Sequence, residues 1–128
     1  MKNKPIVLVA GDPKSIFFEI FFKSQKLYKA KSPLILVASK KILKLQMKKY
    51  KFKKKINLLD YRDLSKLKIN NNLINLIDIK FNENKMHIYI KKCFDIAFKI
   101  LNSNLTNKFI NGPVNKSRFL KKKIFRNY

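Results

Sequence analysis

Gly11-Asp12-Pro13 near the start of the chain and Gly112-Pro113 near its end, with Asn115 and Lys116 just beyond, are the residues whose types and spacing point to chemistry. They include the only two glycines of the sequence. Each corner has the same grammar: a short apolar run, then glycine, then proline within two residues, then polar residues leading into a helical pattern. Glycine permits an unusual φ or a close approach, and proline fixes the next corner. In open α/β sheets, ligands bind outside the carboxyl ends of the strands. Two such corners suggest one site built from both; two ordinary strand-to-helix turns are the competing reading. Lys116 comes after the second corner where a helix start favours an anion, and its ammonium adds a point charge there. The plain alternative is one more solvated lysine.

Other chemistries find little support. Cys93 is the only cysteine, which excludes a disulfide framework and a cysteine-based zinc site. Its place on the apolar stripe of a helix makes it a packing residue rather than a nucleophile. A single histidine, His87, cannot build a histidine metal site, and it falls off that stripe as a surface residue. No apolar run reaches the roughly 18–20 residues that span a bilayer. The first strand begins after only five residues, and Lys14, Glu19 and Lys23 soon interrupt the apolar character, unlike a secretory signal. The expectation is a cytoplasmic protein without a membrane partner.

The charge is extreme. Lys and Arg number 31 against 7 acidic residues, a net charge of +24, where small domains carry a magnitude of roughly 2–8. Only Arg62, Arg118 and Arg126 are arginines, although arginine is the residue suited to bidentate phosphate and base recognition. Abundant Lys, Asn, Ile and Phe with scarce Gly and Ala fit drift toward A/T-rich codons. That reading is favoured over selection for a nucleic-acid partner. The densest basic stretch, residues 40–55, reads first as a solvated helix face and loop. A small basic module binding nucleic acid or another polyanion through it is the alternative function.

The elements that position the two corners can be read from periodicity. Residues 5–10 and 34–38 are continuous apolar runs, the mark of strands buried on both faces in a parallel sheet. A helix is expected from about 14 to 29, capped by Asp12 or Ser15, and apolar almost all round. Such a helix needs cover from the sheet and from another layer or subunit. Ser39 caps a second helix over 40–50. Residues 56–59 form a short strand, 60–72 an irregular stretch, and 73–79 a further strand placed at an edge. Met86, Ile90, Cys93, Phe94, Ala97, Ile100 and Leu101 mark a helix from about 84 to 101. Phe109-Ile110 begins the last strand, and residues 115–117 open a final amphipathic segment. The alternation predicts one three-layer α/β/α unit over residues 1–128 with a largely parallel sheet.

These corners resemble a known pattern. Gly11, Asp12, Pro13, Ile16 and Glu19 fit a loop of the form Gly-Asp/Glu-Pro-Ala-Gly-Ile-Gly-Pro-Glu, while Lys14, Ser15, Phe17 and Phe18 depart from it. Gly112-Pro113-Val114-Asn115-Lys116 matches Thr-Gly-Pro-Ile/Val-Asn/His-Lys, with Asn111 replacing the threonine. With the helix over 87–104 ahead of the second stretch, the chain resembles the N-terminal portion of 4-hydroxythreonine-4-phosphate dehydrogenases, whose fold is similar to isocitrate and isopropylmalate dehydrogenases. The resemblance covers this whole chain but only about the first third of the family protein.

It implies an NAD-dependent enzyme of pyridoxal phosphate biosynthesis. That enzyme oxidises the secondary alcohol of a phosphorylated hydroxy-amino acid with a divalent metal ion, and it works as a homodimer. It also places Gly11, Asp12, Pro13, Gly112, Pro113, Asn115 and Lys116 near substrate or cofactor, and assigns no catalytic residue here. The family's three metal-binding histidines belong to the later, C-terminal part. No residue of this chain carries over as a ligand, and the 128-residue chain alone is expected to be inactive.

Overall fold

The computed structural model describes residues 4–27 and 32–113. Five strands alternate with three α-helices: β1 (Ile6–Val9), α1 (Phe17–Leu27), β2 (Leu34–Ala38), α2 (Lys40–Lys49), β3 (Ile56–Leu58), β4 (Ile74–Asp78), α3 (Met86–Asn102) and β5 (Lys108–Asn111). They form one sheet in the order β3-β4-β2-β1-β5, with every ladder parallel.

The central strands explain their own composition. In β2, Ile35, Leu36, Val37 and Ala38 are all buried, as are Val7, Leu8 and Val9 of β1. A strand covered on both faces has no use for polar alternation. The covering layers are set by the direction of each crossover. From β1 the chain moves to β2 and then out to β3, through α1 and α2, which pack against each other. It then returns inward to β4 and passes beyond β1 to β5, through α3, which lies against β1, β2 and β5. Right-handed crossovers running in opposite directions along a parallel sheet must lie on opposite faces. The β3–β4 connection travels in the same direction as α3 and meets it: the Lys99 ammonium lies 5.8 Å from the Tyr61 ring centroid. The arrangement is the expected three-layer one.

The second cover demanded by α1 comes partly from within the chain. Phe18, Phe21 and Phe22 are buried, and Phe52, just after α2, stacks on Phe22 with ring centroids 4.7 Å apart and planes 16° from parallel. Ile16 and Ile20 stay exposed. The helix begins later than its apolar pattern suggests. Asp12 and Ser15 turn the chain first, with Asp12 Oδ1 accepting from the Lys14 N–H and Ser15 Oγ from the Phe17 N–H. In α2 the Ser39 cap forms as expected, its Oγ accepting from the Ile42 N–H.

Two expectations need correction. The apolar face of α3 consists of Met86, Tyr89, Ile90, Cys93, Ile96, Ala97 and Ile100; Tyr89 and Ile96 replace Phe94 and Leu101, which sit at its margins. More substantially, β4 is not an edge strand but lies between β3 and β2. Asn75, a polar residue within it, is a buried junction. Its amide nitrogen donates to the Leu34 and Asn70 carbonyls, and its oxygen accepts from the Asn57 side chain and the Asn70 N–H. It ties three neighbouring strands and the loop before β4 together at the sheet's amino edge.

Asn75→Ala leaves several of those groups unpaired in a buried place, each costing about 1–3 kcal/mol. The expected loss is about 2–4 kcal/mol of unfolding free energy in urea titration. A change below about 0.5 kcal/mol would show that the junction adds nothing to stability.

Candidate functional site

The two glycine corners meet. β1 and β5 are neighbours, with Val9 opposite Asn111, so both corners leave the carboxyl edge of the sheet side by side. The Gly112 N–H donates to the Val9 carbonyl at 2.7 Å, and the Asp12 N–H donates to the Pro113 carbonyl at 2.9 Å. Gly11 has φ +78°, a left-handed conformation that favours glycine. A Cβ there would stand 2.6 Å from the Pro113 carbonyl oxygen and 2.9 Å from that of Gly112. A Cβ on Gly112 would collide with the Ala10 carbonyl oxygen and lie 2.8 Å from the Phe17 ring. The expectation that the corners build one place is met.

The glycines are needed because the backbones of the two corners touch each other. The first corner also consumes its own polar groups: Asp12 offers its N–H to Pro113, its carbonyl to the Ser15 N–H and Oδ1 to the Lys14 N–H. A glycine-rich phosphate cradle needs such N–H groups directed outward. Lys14 and Ser15, which stand where the resembled loop has Ala and Gly, are part of this inward closure.

The neighbouring helix start is closed in a similar way. Asp78, last residue of β4, accepts the Lys40 N–H at 2.8 Å, while Ser39 Oγ takes that of Ile42. The Ser39 N–H donates to the hydroxyl of Tyr89 at 2.9 Å. Tyr89 thereby pins α3 to the carboxyl end of β2. Sequence reasoning missed it; the signal available was a tyrosine one helical turn before Cys93 on the same apolar stripe. Burial raises the Tyr89 hydroxyl above the ordinary phenol range, with the neighbouring Cys93 adding to the shift. Burial likewise pushes the Cys93 thiol up to about 12, against a smaller opposing effect of its hydrogen bond with Tyr89. Cys93 is therefore a core residue, as its spacing indicated.

Of the sequence-derived site residues, Gly11, Asp12, Pro13, Gly112 and Pro113 are brought together, while Asn115 and Lys116 lie outside the described residues. His87 is half-buried on the first turn of α3. Among the described residues no group of His, Cys, Asp and Glu could hold a metal ion. The donor set does not fit the metal that the resemblance implies. The first corner offers no outward backbone cradle for a cofactor pyrophosphate either. Among the described residues no helix is long and apolar enough to cross a membrane.

No protein-family model matches the sequence, and no curated protein does. Solved structures match the fold. A 4-hydroxythreonine-4-phosphate dehydrogenase from Burkholderia phymatum superposes with a TM-score of 0.77 and 16% identity, over 95% of this chain and 40% of that one. The Klebsiella pneumoniae 4-hydroxythreonine-4-phosphate dehydrogenase gives 0.75 and 17%, over 97% and 40%. A putative 4-hydroxythreonine-4-phosphate dehydrogenase from Salmonella typhimurium gives 0.77 and 16%, over 98% and 42%. The chain thus has the fold of a dehydrogenase segment and spans about 40% of the length of these structures.

Gly112→Ala is expected to cost about 2 kcal/mol or more, because its Cβ meets backbone that cannot step aside. Gly11→Ala combines a left-handed penalty of about 1–2 kcal/mol with the same crowding. At an order of 4 °C per kcal/mol, thermal melts should show both; melting points within about 2 °C of the parent would refute the contact between corners.

Cys93 also makes stability depend on pH. In the unfolded chain its thiol releases a proton from about pH 8.5, while the folded chain holds it until about 12. Above pH 8.5 the unfolded state binds fewer protons, so stability falls as pH rises. The slope from this group approaches 1.4 kcal/mol per pH unit at most. Urea midpoints at pH 8 and 10 should differ accordingly, and a flat profile would contradict the buried thiol.

Proposed function

We propose that the chain is the amino-terminal α/β part, or a shortened relative, of an NAD-dependent 4-hydroxythreonine-4-phosphate dehydrogenase. On this reading the complete enzyme oxidises the secondary alcohol of a phosphorylated hydroxy-amino acid, in pyridoxal phosphate biosynthesis, as a cytoplasmic homodimer. The observation that carries the reading is the convergence of Gly11 and Gly112 on adjacent parallel strand ends, within a chain path that tracks the solved dehydrogenases over nearly its full length.

The ligands of a metal ion, and the cofactor's seat, would come from sequence other than the described residues. What these residues contribute is a rigid floor: two corners locked to each other at the carboxyl edge, where a substrate would stand. Asp12, Lys14 and Ser15 close the first corner inward. The anionic group of substrate or cofactor would then be served by the stretch after Pro113, through Asn115 and Lys116. The exposed Ile16 and Ile20 of α1 suit burial in a larger assembly.

The purified 128-residue chain, given NAD, a divalent metal and the phosphorylated hydroxy-amino acid, should form no NADH. Metal-dependent turnover would overturn that expectation. In a complete, active version carrying the metal-binding part, Lys116→Met should lower kcat/KM for substrate or cofactor by about 1.5–3 kcal/mol. Values within a factor of about two for both ligands would remove Lys116 from the anion site. A complete version inert toward the phosphorylated hydroxy-amino acid under all metals would overturn the dehydrogenase reading itself.

A further inference from the structure

The basic stretch changes meaning once folded. No acidic residue lies between Glu19 and Asp60, while thirteen lysines do. This span supplies α1, β2, α2 and β3. The ion pairs of the described residues, Arg62–Asp60, Lys66–Asp63 and Lys91–Asp95, all lie outside it, on the β3–β4 connection and α3. Some of the basic residues on one side of the molecule have acidic partners within their own element or loop, and the lysines of residues 20–59 have none there. Among the latter, Lys40 and Lys44 of α2 and Lys54 of the loop after it line one groove of about 370 Å³ with Met47, Ile56 and Leu58. The Lys54 ammonium donates a 2.8 Å hydrogen bond to Gln25 Oε1 of α1, which ties the loop after α2 to that helix. Lys40 and Lys44 are one helical turn apart and so share a face. No carboxylate is among the groove's lining residues; Asp78 stands beside its Lys40 end, accepting the Lys40 N–H at 2.8 Å.

We infer that this α2–β3 groove is a seat for the phosphate backbone of nucleic acid, with Lys40, Lys44 and Lys54 as its contacts. Lysines supply point charges for phosphate without the bidentate fork that reads bases. Binding is therefore indifferent to sequence and strongly dependent on salt. A membrane surface fits less well. The apolar stripe that α2 would insert is committed to the core through Ile42 and Leu43, leaving Leu45 as its exposed leucine. The seat does not depend on any dehydrogenase activity, since its lining includes no residue of the two glycine corners.

The test is fluorescence anisotropy of the 128-residue protein with a labelled 16-base-pair DNA duplex, from 50 to 200 mM salt. Three phosphate contacts predict a loss of affinity of roughly 40-fold over that range. Lys40→Gln, Lys44→Gln and Lys54→Gln together should weaken binding at least tenfold at 50 mM and reduce the salt slope by about 2.7. The charge-matched set Lys68→Gln, Lys85→Gln and Lys92→Gln, at exposed sites outside the groove, should change affinity by less than threefold. If the groove triple does not fold by circular dichroism, Lys44→Glu alone at its exposed position must weaken binding at least threefold. Equal losses from both triples, no duplex binding at 50 mM, or binding to phosphatidylserine vesicles alone would each overturn the inference.

Discussion

The carboxyl edge of the sheet depends on a contact in which there is no room for a side chain. Gly112 gives its N–H to Val9, Asp12 gives its own to Pro113, and the glycines between them press backbone against backbone. Parallel pairing alone would set β1 beside β5 at strand spacing. The crossed hydrogen bonds continue that pairing past the last strand residues and fix how two loops leave the sheet. Phe17 reinforces the join, its ring lying against Gly112 and stacking on Phe21 at 5.8 Å. The corner is thereby connected to the aromatic core under α1.

The same edge shows how a helix start can be spent. Charged and hydroxyl side chains at the first turns of α1 and α2 are engaged with nearby N–H groups. Those groups are what would otherwise draw an anion to the edge. Asp78 goes further by placing a carboxylate at the start of α2, which suits the helix dipole and repels a second negative charge. The groove between α2 and β3 starts from this edge at Lys40 and continues along α2 to Lys44 and on to Lys54. Position in the fold, rather than charge in the sequence, separates a closed turn from an open anion seat.

Most of the fold was legible because buried parallel strands write themselves plainly: residues 34–38 and the Ser39 cap came out at their observed positions. The pairing of the two corners was legible too, because glycine is so rare here that its two uses had to be special. What failed had a common cause. Asn75 and Tyr89 are polar groups whose partners are distant in sequence, at Leu34 and Ser39. Local periodicity reads such residues as exposed or marginal, whereas tertiary hydrogen bonds make them core. The groove escaped notice similarly, since nothing in a run of lysines says that Lys54, tied to Gln25 of α1, shares a groove with Lys40 and Lys44 of α2.

The ladder between β1 and β5 joins Ile6 to Lys108, so β1 waits for a partner strand far along the chain. A loop of roughly a hundred residues must close before that pairing forms. Closure entropy grows slowly with length, about 0.6 kcal/mol per doubling, but it must be met before any contact rewards it. Until then β1 can pair only with β2, and its other edge stands open to neighbouring chains. The first corner cannot take its final shape during this interval, because its partners at Gly112 and Pro113 have not yet arrived. The meeting of the two corners thus comes after the lysine-rich elements between them have been made.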